Sequence, residues 1–94
     1  MATFVLLTTL TEEGAKTIKS KPERIKAVDE ELRQMGVRVV NQWATLGPYD
    51  FVNVVEAPDI ATVAKVSIAL GSRGSTKIET LPALEIEEFL RTLE

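Results

Sequence analysis

Tyr49 and Asp50 are the residues of this chain whose types and spacing best suit chemistry. They stand side by side in the segment TLGPYDF, where a phenol and a carboxylate on a tight loop could hold or protonate a polar ligand. The segment also has a structural interpretation, because Gly47 can adopt a positive φ, Pro48 presets the next φ, and Asp50 can accept backbone N–H groups. Tyr49 and Asp50 are therefore candidates for catalysis, with a turn and interface role as the alternative that the residue types favour.

Two further clusters carry charges that a ligand could use. Asp50, Glu56 and Glu79 would form a carboxylate set for acid-base catalysis or a magnesium ion if the fold brought them together, although solvated strand ends explain them as well. The segment GSRGSTK, residues 71–77, offers backbone N–H groups and two cations to an anion. It follows a helix and lacks the spacing of a P-loop, so we expect a helix end and a solvated turn there. We expect no metal site and no cofactor.

Composition narrows the function classes. The 94 residues are 45% hydrophobic and 27% charged, which fits a single domain spanning residues 1–94. Histidine and cysteine are absent, which excludes thiol catalysis, imidazole acid-base chemistry and zinc sites built on those ligands. A net charge of −3 without a basic stripe predicts no nucleic-acid partner, and no apolar run reaches the ~18 residues of a membrane span. The sequence therefore predicts a cytoplasmic protein.

Helix signals fall in three parts of the chain. Thr11 opens a first helical turn, and a second start signal follows at SKPE, with Ser20 as N-cap and Glu23 closing a capping box. Together they predict a jogged helix that ends at Gly36. APD starts another helix, since its proline suits the first turn and its aspartate favours the positive end. A short amphipathic helix closes the chain, with apolar positions at Ile86, Phe89, Leu90 and Leu93.

The remaining segments have strand character. Residues 3–10, 37–46, 51–56 and 76–81 are rich in β-forming residues, and Pro82 is expected to end the last of them. The resulting order, β-α-β-β-α-β with an extra C-terminal helix, is that of a ferredoxin-like α+β fold with a four-stranded antiparallel sheet.

These strands lack the alternation of a sheet with one wet face. Residues 4–7 are apolar without interruption, and so are 51–52 and 54–55, whereas a half-exposed antiparallel sheet alternates apolar and polar positions. Helices cover one face, and a second copy of the same sheet is the simplest cover for the other. We therefore expect a homodimer or larger oligomer packed sheet against sheet, with about 800 Å² from each sheet.

The face between the subunits would also form a pocket. If Val52 and Val54 face the helices, Phe51, Asn53 and Val55 face the partner, because strand side chains alternate. Apolar walls, an indole and a few amides or hydroxyls suit a small organic ligand; interface packing of the indole and cross-dimer hydrogen bonds are the structural alternative. The ligand-binding residues predicted on this basis are Thr9, Asn41, Trp43, Asn53 and Thr80.

Gly47, Tyr49 and Asp50, together with the segments LTEEGAKTIKSKPERIKAV, ATLGPYDFVNVVEAPD, ALGSRGSTKIETLPA and EEFL, give the chain a resemblance to a known family. It resembles the GYD-domain proteins of bacteria and archaea, named for a Gly-x-Tyr-Asp stretch. The resemblance implies a subunit of the dimeric α/β-barrel group, whose members pair sheets and often place a ligand or active site between sheet and helices or at the subunit interface. That group includes cofactor-free monooxygenases, isomerases, haem enzymes and amino-acid-sensing domains, so the fold alone selects no function.

Three function hypotheses follow. The first is a homo-oligomeric protein that binds a small ligand or has a structural or regulatory role. The second is a cofactor-independent oxygenase or isomerase with a pocket near Trp43, Tyr49 and Asp50, and with Asn41 and Asn53 as polar anchors. The third is a regulatory or scaffolding subunit that binds another protein through its C-terminal helix. The expected partners are a second copy and a small molecule, with neither nucleic acid nor membrane.

Overall fold

The protein is an antiparallel sheet with helices packed on one face, described for all 94 residues by a computed structural model. The α+β order predicted from the sequence is confirmed, with the first helix divided in two. The sheet order is β2-β3-β1-β4, so β1 and β3 are central and β2 and β4 form the edges. The elements are β1 (Ala2–Leu10), α1 (Glu12–Ser20), α2 (Arg24–Gln34), β2 (Arg38–Ala44), β3 (Phe51–Ala57), α3 (Ile60–Gly71), β4 (Thr76–Ala83) and α4 (Ile86–Thr92).

A small hydrophobic core lies between the sheet and the helices. Its strand residues have the same parity on each strand, since alternate side chains of a strand point to one face. Two valines of α3 pack on them at the repeat expected for one face of a helix. The core residues are Phe4, Leu6, Leu32, Val37, Val55, Ala57, Val63 and Val66, all at most 3% exposed.

The helix starts match the sequence signals at two positions and miss at a third. The Thr11 hydroxyl accepts the Gly14 N–H at 3.1 Å, and Asp59 accepts the Thr62 N–H at 2.8 Å, so both act as N-caps. The predicted N-cap at Ser20 is wrong, because α1 continues through Ser20, whose hydroxyl donates to the Thr17 carbonyl. Pro22 lacks an N–H and stops the helical ladder, so α2 begins only at Arg24.

The last strand also extends further than predicted. β4 continues through Pro82, which pairs in register with Phe4. An edge strand tolerates proline because one of its two sides makes no ladder hydrogen bonds. The expected end of the strand before Pro82 is therefore wrong. The sequence shows the proline but does not show that its strand lies at the edge of the sheet.

Gly14 allows α1 to pack directly on the turn before β4. A Cβ at this position would lie 2.0 Å from the Ser75 carbonyl oxygen. Thr11 secures the same contact, since its N–H donates to the Ser75 carbonyl at 3.0 Å and its hydroxyl to the Gly74 carbonyl at 2.8 Å. These contacts hold α1 over the end of the sheet that the cavity described below occupies.

The other face of the sheet, here called the open face, has no helix over it. Its rows run Trp43–Val52–Leu7–Glu79 and Asn41–Val54–Val5–Leu81 across the four strands. Beyond β4 the chain continues into residues 84–94, here called the C-terminal arm, in which every residue is exposed. The whole molecule is elongated, with principal dimensions of 51 × 29 × 19 Å. None of the four helices has the length and apolar character to cross a membrane.

Candidate functional site

The turn between β2 and β3, Gly47–Asp50, is held against β1 by Asp50. We call it the GPYD loop. Asp50 Oδ2 accepts the Leu10 N–H at 2.7 Å, and the Asp50 N–H donates to the Thr8 carbonyl at 2.8 Å. Gly47 has a φ of +103°, a conformation that other residues rarely adopt. The carboxylate therefore satisfies a backbone N–H just beyond the end of the strand ladder, which is the turn role considered for this segment.

Tyr49 joins the same loop to the far edge of the sheet. Its hydroxyl donates to Glu79 Oε2 of β4 at 2.8 Å, and this hydrogen bond, reinforced by the negative charge of Glu79, raises the pKa of the Tyr49 phenol. The loop carbonyls also accept from two threonine hydroxyls: Thr45, just after β2, donates to Tyr49, and Thr9 of β1 donates to Pro48. The two candidate catalytic side chains, Tyr49 and Asp50, are thus engaged with strands, and neither lines the cavity described below.

The other charged clusters are dispersed. Glu56 forms an ion pair with Arg38 across β3 and β2, so it lies apart from the Tyr49–Glu79 pair. No three acidic residues lie close enough together to hold a metal ion. In residues 71–77, Gly74 has a φ of +77° and Arg73 pairs with Glu31 of α2. This segment is a helix end and a turn.

The five predicted ligand-binding residues do not lie on one surface. Thr9, Asn41 and Trp43 are on the open face, where the indole is 51% exposed. Asn53 and Thr80 point to the helices, in register with the buried Leu6. The assumption that Val52 and Val54 face the helices was wrong, and the expected placing of Phe51, Asn53 and Val55 against a partner is wrong with it.

Long-range pairing decides which face each residue occupies. Phe51 pairs with Thr8, and Thr8 shares the parity of the buried Phe4. Phe51 and every second residue after it therefore point to the helices. In β2 a bulge between Val39 and Asn41 changes the parity, which turns Asn41 to the open face.

A cavity of about 130 Å³ lies between the sheet and the pair α1 and α2. Its walls are mostly apolar, and Gly14 and Ser75 close one end where α1 meets the turn before β4. A volume near 150 Å³ accommodates a benzene-sized molecule. The apolar residues that line it are Leu6, Leu10, Ile18, Ile25, Val28, Leu32, Phe51, Leu70 and Ile78.

One row of the sheet carries three polar side chains toward the helices. Across the strands this row runs Gln42–Asn53–Leu6–Thr80. The outer two have helix partners: the Thr80 hydroxyl lies 2.9 Å from the Ser67 hydroxyl, and Gln42 Nε2 donates to Asp29 Oδ1 at 2.9 Å. Asn53 Oδ1 is the one buried side-chain polar atom of the protein without a hydrogen-bond partner, and Asn53 lines the cavity.

Two arginines mark the solvent side of this cavity. Arg24 and Arg73 line it, and their side chains are 41% and 40% exposed. Both pair with Glu31, and the hydrogen bond from Arg73 is the main cause that lowers the pKa of the Glu31 carboxyl. The same bond raises the pKa of Arg73. Both arginines at the entrance thus share one carboxylate, and one net positive charge remains.

The sequence reasoning found Asn53 but missed the cavity that it faces. A signal was present, because Asn53 is the polar exception in an otherwise apolar alternation of Phe51, Val55 and Ala57. That alternation became interpretable only once the pairing of β3 with β1 fixed which set is buried.

Comparisons with known proteins identify the family. The GYD domain model matches residues 4–93. One relative, from Thermus thermophilus, is named "Glutamine synthetase and cystathionine beta-lyase binding protein". It is 56% identical to this chain over 95 residues, and the alignment covers the full length of both proteins. The crystal structure of TTHA0845, also from Thermus thermophilus, has a similar fold, with a TM-score of 0.59 and 23% identity over 90% of this chain and 95% of that one. The chain described here therefore belongs to the GYD domain family.

Proposed function

We propose that this protein is a cytoplasmic, homo-oligomeric regulatory protein that binds metabolic enzymes through its C-terminal arm. The observation that carries the proposal is the exposure of the arm's apolar side chains. Leu84, Ile86, Phe89, Leu90 and Leu93 are all between 44% and 68% exposed. Contiguous apolar surface of this kind is typical of protein interaction sites.

The geometry of α4 suits insertion into a groove of a partner. Ile86, Phe89, Leu90 and Leu93 recur at i, i+3, i+4 and i+7, which places them on one side of the helix. Glu87, Glu88 and Arg91 occupy the other side. An apolar stripe bordered by charges is the pattern by which amphipathic helices bind hydrophobic grooves.

The choice of enzymes as partners is supported by the relative from Thermus thermophilus. That protein is named as a binding protein of glutamine synthetase and cystathionine beta-lyase, and it matches this chain over its full length. Enzyme partners go beyond the second copy and the small molecule expected from the sequence. Within the oligomer, each copy would present its own arm, which would increase affinity for a multi-subunit enzyme.

The homodimer of the proposal uses the open face. Val5, Leu7, Val52 and Val54 form an apolar centre on it, with Trp43 beside them. Pairing two such faces would form the barrel-like dimer implied by the family resemblance and would remove these side chains from water. The edge carries charged pairs, such as Arg38 with Glu56, that suit the rim of an interface.

The role of the arm is tested by measuring the affinity of this protein for purified glutamine synthetase and cystathionine beta-lyase, both taken from the organism that encodes this chain. The variant Phe89→Ser/Leu90→Ser removes the apolar stripe, and the control Glu87→Ser/Glu88→Ser makes the same two truncations on the polar side of α4. We expect the first variant to weaken binding by about tenfold or more, as for interface anchors, and the control to retain binding. Equal affinities of both variants, or no binding by the unmodified protein, would contradict the proposal.

Sedimentation tests the homodimer separately. We expect a dimer or larger species at micromolar concentration, and a red shift of the fluorescence of Trp43, the only tryptophan, when dilution exposes it. A stable monomer at that concentration would contradict the proposed homo-oligomer. If Phe89→Ser/Leu90→Ser reduces the mass without changing enzyme binding, the arm covers a second copy and not an enzyme.

A further inference from the structure

We propose that the cavity under α1 and α2 is a binding site for a small uncharged molecule with a ring-sized apolar body and one O–H or N–H group, which donates to Asn53 Oδ1. This site lies on the helix-covered face, away from the open face and the arm, and does not rest on the function proposed above. It also differs from the pocket near Trp43 that the sequence predicted.

The strongest indication is that, of the three polar side chains in the row Gln42–Asn53–Leu6–Thr80, two have hydrogen-bond partners on the helices and one does not. Gln42 and Thr80 each meet a polar group on the helix above them. Asn53, which lies between Gln42 and Leu6 in this row, has no such partner for its Oδ1, although the residue lines the cavity. A buried acceptor without a partner costs about 1–3 kcal/mol. A leucine, nearly the same size, would avoid that cost, so the amide at this position supports a hydrogen-bond donor within the cavity.

The chemistry of the walls defines the ligand. Asn53 Oδ1 can only accept a hydrogen bond, so the ligand must donate one. Apolar residues of the sheet and of both helices surround the remaining space, among them Ile18, Val28 and Phe51. The volume of about 130 Å³ is suited to about six or seven non-hydrogen atoms. Phenols, small alcohols and small amides meet these conditions.

The entrance favours an uncharged ligand, because both of its arginines already have an anionic partner. Glu31 forms ion pairs with Arg24 and Arg73, and the three residues keep one net positive charge at the solvent side. An anionic ligand would have to compete with the Glu31 carboxylate, whereas an uncharged one leaves both ion pairs in place. The site is thus mostly apolar at the walls and polar at one buried atom, with both ion pairs at its entrance.

Phenol and toluene are matched probes, since both have seven non-hydrogen atoms and only phenol can donate. Titration of the isotope-labelled full-length protein, followed by amide chemical shifts, should show saturable phenol binding at residues around Asn53. The variant Asn53→Leu should weaken phenol binding by about tenfold while leaving toluene binding unchanged or stronger. Val28→Phe, which fills the space from α2, should weaken both probes.

Three results would overturn the site: no saturable shifts with phenol up to its solubility limit, shifts centred on the arm or open face, or the same loss of both probes in Asn53→Leu. Circular dichroism and thermal unfolding are used to check that each variant is folded. If Asn53→Leu fails to fold, Val28→Phe still decides the question, because filling the proposed site must abolish or strongly weaken phenol binding.

Discussion

The two faces of the sheet have similar residues and opposite surroundings. On the covered face, Phe4 and Leu6 are 2% exposed beneath the helices. On the open face, the adjacent Val5 and Leu7 face away from every helix and remain only partly buried. Both faces have an apolar centre, but the covered face includes a cavity with one unpartnered acceptor, and the open face presents a continuous surface bordered by charges.

This difference underlies the two kinds of recognition proposed above for one small domain. A concave space with few polar groups suits a small molecule, whereas a flat apolar surface and a projecting helix suit other proteins. The GPYD loop lies where the two faces meet, with Asp50 bonded to β1 and Tyr49 to β4. Its residues join the strands that carry both surfaces, which gives Tyr49 and Asp50 a structural role in the fold.

Two adjacent leucines of β1 test the comparison most directly. Leu6→Ala should lower the free energy of unfolding by about 2–5 kcal/mol, because it leaves a cavity in a packed core. Leu7→Ala, the same change on the open face, should cost less than half as much when measured at concentrations where the chain is monomeric. Urea denaturation of both variants gives the values. Equal losses would mean that the two faces are equally buried in the monomer.

Gly14 tests how the helices are fixed over the covered face. Gly14→Ala places a Cβ against the Ser75 carbonyl oxygen, and relief of that clash should cost about 1–3 kcal/mol of unfolding free energy. Gly71→Ala is the matched control, since no atom lies within 4 Å of a Cβ there, and it should be neutral or slightly stabilising. Thermal unfolding that ranks the two variants the other way would refute this packing.

Asp50 tests the connection between the faces. Asp50→Ala leaves the Leu10 N–H without its acceptor and should reduce the unfolding free energy by about 1–3 kcal/mol. Asp50→Asn retains an acceptor oxygen and should lose less. Amide hydrogen exchange at Leu10 reports the bond itself, and unchanged protection in Asp50→Ala would show that the carboxylate does not hold this strand end.

The smallest expected effect concerns the phenol of Tyr49. Because Glu79 raises its pKa, the folded protein holds this proton more tightly than the unfolded chain. The associated stability is present below the usual tyrosine pKa of about 10 and is lost as the pH rises through the higher pKa of the folded state. Tyr49 is the only tyrosine, so the pH-dependent change in tyrosine ultraviolet absorbance reports the titration of this residue alone.

Glu79→Gln should return the Tyr49 titration toward the usual value, whereas Glu87→Gln on α4 should not move it. A titration identical in the protein and in Glu79→Gln would show that the contact between the loop and β4 does not persist in solution.

Most of the element order could be predicted because its signals are local. Asp59 caps the helix that follows it, and Gly36 stands just beyond α2 with a φ of +91°. The amphipathic spacing of Ile86, Phe89 and Leu90 predicted α4. The errors at Ser20 and Pro82 arose where two neighbouring signals competed, or where the effect of a proline depended on the position of its strand in the sheet.

The candidate sites were less predictable, since they depend on contacts between distant segments. Asn53 and Trp43 were recognised as unusual residues and were assigned to one surface. The pairing of Phe51 with Thr8 and the bulge after Val39 place them on opposite faces. Period-two alternation gives each strand two sets of residues but does not say which set is covered.

The sequence by itself determined the type and order of the elements apart from the division of the first helix, the absence of histidine and cysteine chemistry, and the amphipathic C-terminal helix. These features depend on residue types and on spacings within a few positions of the chain. Only the tertiary structure decided which face each strand residue occupies, where the cavity lies, and that Asn53 Oδ1 is buried without a hydrogen-bond partner. The physical reason is that burial and hydrogen bonding in a sheet are set by pairing between segments some 40 residues apart, such as Leu10 with Asp50.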